Sequence, residues 1–276
     1  FVRGNRSFMG AGITVGSMRA RFSSPLSRLT FCAALALSAS ACMRGGSGDI
    51  VSSVPASALS ETEWREQADR WGKRVDAAPG DRDASINYAR ALRAIGQRQQ
   101  AVAVLEQAAA RQPNDLQVLG AYGKALADAG RLREALDILG KAHLPEKPDW
   151  RILSAMGVVS DKLGEHEAAQ RYYQAALNIA PGEPSILSNL GFSYALARRL
   201  PEAEATLRQA AEGAKNDPRI RQNLVLVLGL QGKFDEAEKI ARTDLPAEDV
   251  RQNMAYLKSM ISQPNNWAKI KQTMTR

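Results

Sequence analysis

The chain of 276 residues, 45% hydrophobic and 24% charged, has the composition of ordinary folded protein, which excludes wholesale disorder. Aromatics at 6%, abundant Ala and only 12 Pro favour helix over a β-sandwich or barrel built on aromatic and β-branched strands. The formal charge of +8 points to nucleic acid only until it is divided: residues 1–41 hold Arg3, Arg6, Arg19, Arg21 and Arg28 and no acid, leaving 32 basic against 29 acidic side chains beyond them. That remainder of +3 is too small for a phosphate-binding footprint.

The first expected element, 1–41, is a leader, with candidate initiators at Met9 and Met18. From Met18 runs a basic stretch, then the thirteen-residue weakly polar to apolar run Leu29–Ala41, then small residues, the three-part layout of a secretory signal. Thirteen residues are too few to cross a bilayer as a stable helix. Ala39-Ser40-Ala41-Cys42 admits two readings. Small residues before the break suit general signal peptidase, which would release a soluble periplasmic protein. The same four residues resemble a bacterial lipobox, with Ala39 where Leu is usual, and the resemblance implies diacylglycerol on the Cys42 thiol. Cys42 would be the only cysteine of the mature chain, because Cys32 lies in the removed run, so no disulfide can form within it. The Gly/Ser-rich stretch Gly45 to Leu59, inside 42–60, reads as a flexible tether. Met43 stands where an Asp would retain such a lipoprotein in the inner membrane, which implies the outer membrane, facing the periplasm.

Glu61 to Ala78, carrying Trp64 and Trp71 and ended by Pro79-Gly80, predicts a lone amphipathic capping helix. A repeat of 34 residues then runs without insertion through 82–115, 116–149, 150–183, 184–217 and 218–251. Its twentieth position is Ala101, Ala135, Ala169, Ala203 and Ala237, where two antiparallel helices crossing closely admit only a methyl group. The eighth, facing that crossing, is Ala89, Gly123, Gly157, Gly191 and Val225. The fifteenth, Gly96, Gly130, Gly164, Arg198 and Gly232, suits the end of a first helix in a left-handed turn. Large apolar residues fill the seventh (Tyr88, Tyr122, Met156, Leu190, Leu224) and twenty-fourth (Leu105, Leu139, Tyr173, Leu207), and Ala108, Ala142, Ala176 and Ala210 the twenty-seventh.

This pattern resembles the tetratricopeptide repeat, which implies an all-α solenoid of five helix-turn-helix units over 61–262, closed at both ends by capping helices. Val225, Arg221 at the usually apolar fourth position and Asp244 at the twenty-seventh mark the fifth unit as degenerate. Pro246 is expected to start a further helix presenting Met254, Leu257 and Met260. Pro264-Asn265-Asn266 breaks it, and Trp267 and Ile270 in the tail 263–276 are expected to dock back on the last pair.

No cofactor, metal or catalytic centre is expected. His143 and His166 have no His or Cys at metal-ligand spacing, and His166 reads as a partly exposed packing residue. No glycine-rich loop follows a strand, and Glu134, Glu202 and Glu236 at the nineteenth position favour the start of the second helix rather than form a proton-transfer pair. The concave face remains as a protein-binding groove, lined by positions two, five, nine, twelve and thirteen. Its first two units offer Arg90, Arg93 and Lys124, and the later three Val158, Phe192, Leu196, Leu226 and Leu230. Exposed, these would make a basic end and an oily end suited to an amphipathic or extended segment with acidic flanks; packed, they would fill the space between neighbouring helices. Ile86 and Arg90 stand where a two-carboxylate chaperone clamp needs Lys and Asn, which disfavours a chaperone adaptor.

Ala241-Arg242-Thr243-Asp244-Leu245-Pro246, Asn253-Met254-Ala255-Tyr256-Leu257, Gln263-Pro264-Asn265-Asn266-Trp267 and Ala89-Arg90-Ala91-Leu92-Arg93-Ala94-Ile95-Gly96 resemble TadD-type lipoproteins of the tight-adherence (Flp) pilus system. The resemblance implies a non-catalytic envelope lipoprotein supporting pilus biogenesis, with the outer-membrane secretin or another pilus component as partner. A general periplasmic scaffold for cell-wall or outer-membrane protein machinery, and a substrate-binding accessory of peptidoglycan enzymes, remain alternatives on the same fold.

Overall fold

A computed structural model describes residues 59–262, and the expected leader, Cys42, nearly all of the expected tether, and the tail with Trp267 and Ile270 lie outside them. The described chain is all helix: α1 (Glu61–Ala77), α2 (Arg82–Ala94), α3 (Arg98–Arg111), α4 (Leu116–Asp128), α5 (Leu132–Ala142), α6 (Trp150–Lys162), α7 (His166–Ile179), α8 (Pro184–Leu196), α9 (Leu200–Gly213), α10 (Pro218–Leu230), α11 (Phe234–Ala241) and α12 (Ala247–Ile261). Among these residues the β geometry is one isolated bridge between Leu144 and Lys147. From α2 to α11 the helices start 34 residues apart in two interleaved series, and each packs against the next along the chain.

The crossings explain the small residues. A Cβ at Gly123 would lie 2.6 Å from Leu139 Cγ and 3.3 Å from the Ala135 carbonyl oxygen; at Gly191 the same clash falls on Leu207 and Ala203, and at Gly157 on the Tyr173 ring. The eighth position therefore receives the twenty-fourth side chain, and all five Ala at the twentieth are fully buried.

Each first helix ends the same way. Gln97 N–H donates to Leu92 O at 2.8 Å and Gly96 N–H to Arg93 O at 3.1 Å, a Schellman turn repeated at Gly130, Gly164, Arg198 and Gly232. All five residues have positive φ, Arg198 (63°) included. Each first helix also begins on an acid that sequence reading passed over: Asp81, Asp115, Asp149, Glu183 and Asp217 each accept a hydrogen bond from a backbone N–H of the first turn.

The flanks cap the stack. Ser60 and Glu63 form a capping box on α1, which packs on α2 with Gly72 against the Tyr88 ring, while Trp64 joins the core edge. α12 lies on α10 and α11 and buries Val250, Met254 and Leu257; the Met260 side chain is not among those described. The fifth unit keeps both helices, with α11 cut to 8 residues. Its two departures answer each other: Arg221 Nε donates to Asp244 Oδ2 at 2.8 Å where the second, third and fourth units have Leu and Ala at the same two positions.

Candidate functional site

The concave face is built by α2, α4, α6, α8 and α10. Between α2, α4 and the start of α6 lies a cleft of ≈ 650 Å³ lined by Arg90, Arg93 and Lys124, the three basic residues expected there, together with Lys147, Trp150 and Arg151. It exists because α5 stops at Ala142, whereas α3, α7 and α9 run to 14 residues. Pro145 and Pro148 bar continuation of the helix, so the chain crosses as a loop whose Lys147, Pro148 and Asp149 wall the cleft.

The three basic residues differ in availability. Arg93 is bound to Asp128 of the next unit through a charge-assisted hydrogen bond, with side chains 16% and 11% exposed, so it joins α2 to α4. Arg90 is exposed. Lys124 is half-buried, and burial, then the positive charge of Arg93, hold its ammonium below the ordinary pKa; Arg151 and Arg90 add to this and Asp149 opposes it.

The apolar expectation divides. Val158, Phe192 and Leu196 are at most 6% exposed, with Phe192 and Leu196 in the core of the last two units and Val158 in that of the first units. These three serve as packing. Leu226 and Leu230 are half-buried against the same core. On this half of the face the units are joined instead by Ser/Asn pairs, Asn189 Nδ2 donating to Ser154 Oγ at 3.3 Å and Asn223 Nδ2 to Ser188 Oγ at 3.1 Å, with both Ser buried and both Asn half-buried. The signal was available in the sequence as Ser at the fifth position and Asn at the sixth.

A second polar group, also missed, sits inside the stack. Asp161 Oδ1 lies 2.8 Å from His166 Nδ1 and accepts from Ser193 Oγ at 2.8 Å, while Oδ2 accepts from Tyr173 Oη at 3.1 Å. Burial raises the Asp161 carboxyl above its ordinary pKa against the lowering pull of His166, Ser193 and Tyr173. Ser193 bonds the carboxylate, and His166 Nε2 has no hydrogen-bond partner, so the order of contacts is not that of a nucleophile activated by a base. His166 is a packed, bonded residue with its side chain 12% exposed. His143 has a buried Nδ1 without a partner beside the cleft-walling loop. Among the described residues no group of three His, Cys, Asp or Glu side chains converges as a metal site, and no helix is long and apolar enough to cross a membrane.

A tetratricopeptide-repeat family model matches residues 93–156 and 162–226. The helix array is a tetratricopeptide-repeat solenoid, a class whose members generally bind proteins rather than catalyse. Its fold is similar to that of a thermophilic TPR protein of Thermus thermophilus, with TM-score 0.55 and 23% identity over 60% of this chain and 91% of that one. It is similar to Pseudomonas aeruginosa PilF, with TM-score 0.51 and 18% identity over 76% and 90% of the two chains. It also resembles PilW, a type IV pilus biogenesis factor, with TM-score 0.55 and 16% identity over 76% and 91%. No curated protein matches the sequence.

Proposed function

We propose that this protein is a lipid-anchored scaffold of the bacterial envelope whose concave face holds an extended segment of a pilus-assembly component, foremost the outer-membrane secretin. The observation that carries the groove is the cleft, where Arg90 and Lys124 face open space without an ion-pair partner among the described residues. The pilus assignment is supported by the TadD-like stretches around residues 89–96 and 241–267, and the folds of PilF and PilW are compatible with it. Anchoring through Cys42 and an outer-membrane location facing the periplasm follow from the lipobox-like end of the leader.

Detergent-solubilised full chain and its Arg90→Glu variant, pulled down against envelope extract, test the reading. Wild type recovers secretin; Arg90→Glu associates more slowly and with weaker salt dependence, because rim charges steer encounter. Arg93 and Phe192 are unsuitable probes, being tied into Asp128 and the core. Equal recovery by both proteins moves the binding surface to the convex side or α12, and recovery of other envelope machinery without secretin favours the general adaptor. Cys42→Ser should release the protein from membranes or block its processing. An unmodified mature Cys42 in mass spectrometry removes the anchor.

A further inference from the structure

Position nine of each first helix holds Arg90, Lys124, Val158, Phe192 and Leu226, so the array fills this place with apolar side chains wherever it serves packing. Lys124 occupies it half-buried, at a cleft wall, with no hydrogen bond or ion pair in the described chain. A cation withdrawn from water without a partner costs stability, and the apolar residue used at Val158 and Phe192 would avoid that cost. The carboxylates nearby are engaged: Asp128 with Arg93, and Asp149 as helix cap, its Oδ1 accepting the Arg151 N–H at 2.8 Å. Arg90, Lys147 and Arg151 surround the same space, and Asp149 reaches the Arg151 guanidinium only at 3.9 Å. The cleft therefore holds more positive charge than its own carboxylates balance, concentrated around one desolvated ammonium.

Resting on the groove reading above, we propose that this cleft is a carboxylate site: Lys124 takes an acidic side chain or a chain-terminal carboxylate of the partner protein's extended segment, with Arg90, Lys147 and Arg151 around the mouth. Four cations in one confined cleft suit one or two carboxylates. A nucleic-acid backbone needs a longer basic track, and the chain beyond its leader has a net charge of only +3.

The full chain is titrated, by fluorescence anisotropy, with three labelled peptides of one short sequence: an internal Glu pair with amidated C-terminus, a Gln pair with free C-terminal carboxylate, and a Gln pair amidated. At least one carboxylate peptide should bind about tenfold or more tightly than the amidated Gln peptide, and which one does so tells side chain from chain terminus. Lys124→Met, which copies the apolar residues of later units, should abolish that preference while its melting temperature holds or rises. A lysine retained for structure alone would leave the preference intact. Full preference in a folded Lys124→Met protein, equal binding of all three peptides by wild type, or no carboxylate peptide bound up to about 1 mM overturns the site. If wild type still captures its envelope partner in the pull-down, only the carboxylate assignment falls; if it captures none, the groove reading falls with it.

Discussion

Five residues carry the turn between the helices of each unit at positive φ, and one of them, Arg198, has a side chain that this conformation disfavours. A Cβ in the left-handed region costs about 1–2 kcal/mol, and glycine's extra unfolded-state freedom returns about 0.4–1 kcal/mol of that. Gly164→Ala should accordingly lower stability by about 1 kcal/mol, and Arg198→Gly should raise it by about 0.5 kcal/mol, both read from urea midpoints. Asp161 makes a different demand, since burial favours its protonated form. Its folded pKa is raised above 3.8, so its contribution to stability is fully present below that pH, and falls as pH rises until the folded carboxyl also ionises. In matched denaturation series, wild type should lose stability relative to Asp161→Asn as pH climbs from the ordinary carboxylate range, and a flat difference would remove the assignment. The three groups bonded to Asp161 make its removal costly at every pH, so the slope of the difference is the readout and its offset is not.

At the scale of the element, each first helix is started by an acidic cap and stopped by a Schellman turn, whereas α3, α5, α7, α9 and α11 begin with no side-chain cap. Arg131 with Glu134 and Arg199 with Glu202 bind across the first turn there, which gives the nineteenth-position acids a local role. In the fifth unit an ion pair joins α10 to the turn that follows α11. Arg221 and Asp244 have side chains 17% and 13% exposed, and Arg221 also donates to the Lys215 carbonyl. Removing one partner leaves a poorly solvated charge, so Asp244→Ala should cost about 1.5–3 kcal/mol. Arg221→Leu combined with Asp244→Ala gives the Leu and Ala of the second, third and fourth units and should recover most of that loss. A double-mutant cycle on thermal unfolding measures the coupling; additive losses would show that the two side chains do not stabilise each other.

Across the whole array each unit touches chiefly its neighbours, so stability is passed along the stack instead of residing in one core. Apolar clusters follow the chain order, one from α1 to α8 and another from α8 to α12, with a smaller one around Leu187, Ala210 and Ile220. α12 closes the cluster that runs from α8, with the Leu257 side chain lying over Gly229. Leu257→Ala should cost about 2–5 kcal/mol within the terminal units, and hydrogen exchange should accelerate first in α10 and α11 while α4 to α7 stay protected. Uniform loss of protection along the chain would mean that the array unfolds as a single cooperative body.

The 34-residue register, the helix pairs, the turn residues and the tight crossings were legible in the sequence, because each depends on contacts within one unit that recur at fixed spacing: Gly123 must admit Leu139 and Gly157 must admit Tyr173 whatever lies beside them. The acidic caps were legible too, in Asp81, Asp115, Asp149, Glu183 and Asp217, although a periodicity search tuned to apolar and small residues passes over them. The composition of the groove was not. Whether Phe192 faces a ligand or a neighbouring helix, whether Arg93 is free or joined to Asp128, and whether Asp161 meets solvent or Ser193 depend on how one unit stacks on the next. Those contacts join residues 32 to 35 positions apart whose side chains differ from unit to unit. The repeat sets where such residues stand, and only the stacked structure decides which of them are covered.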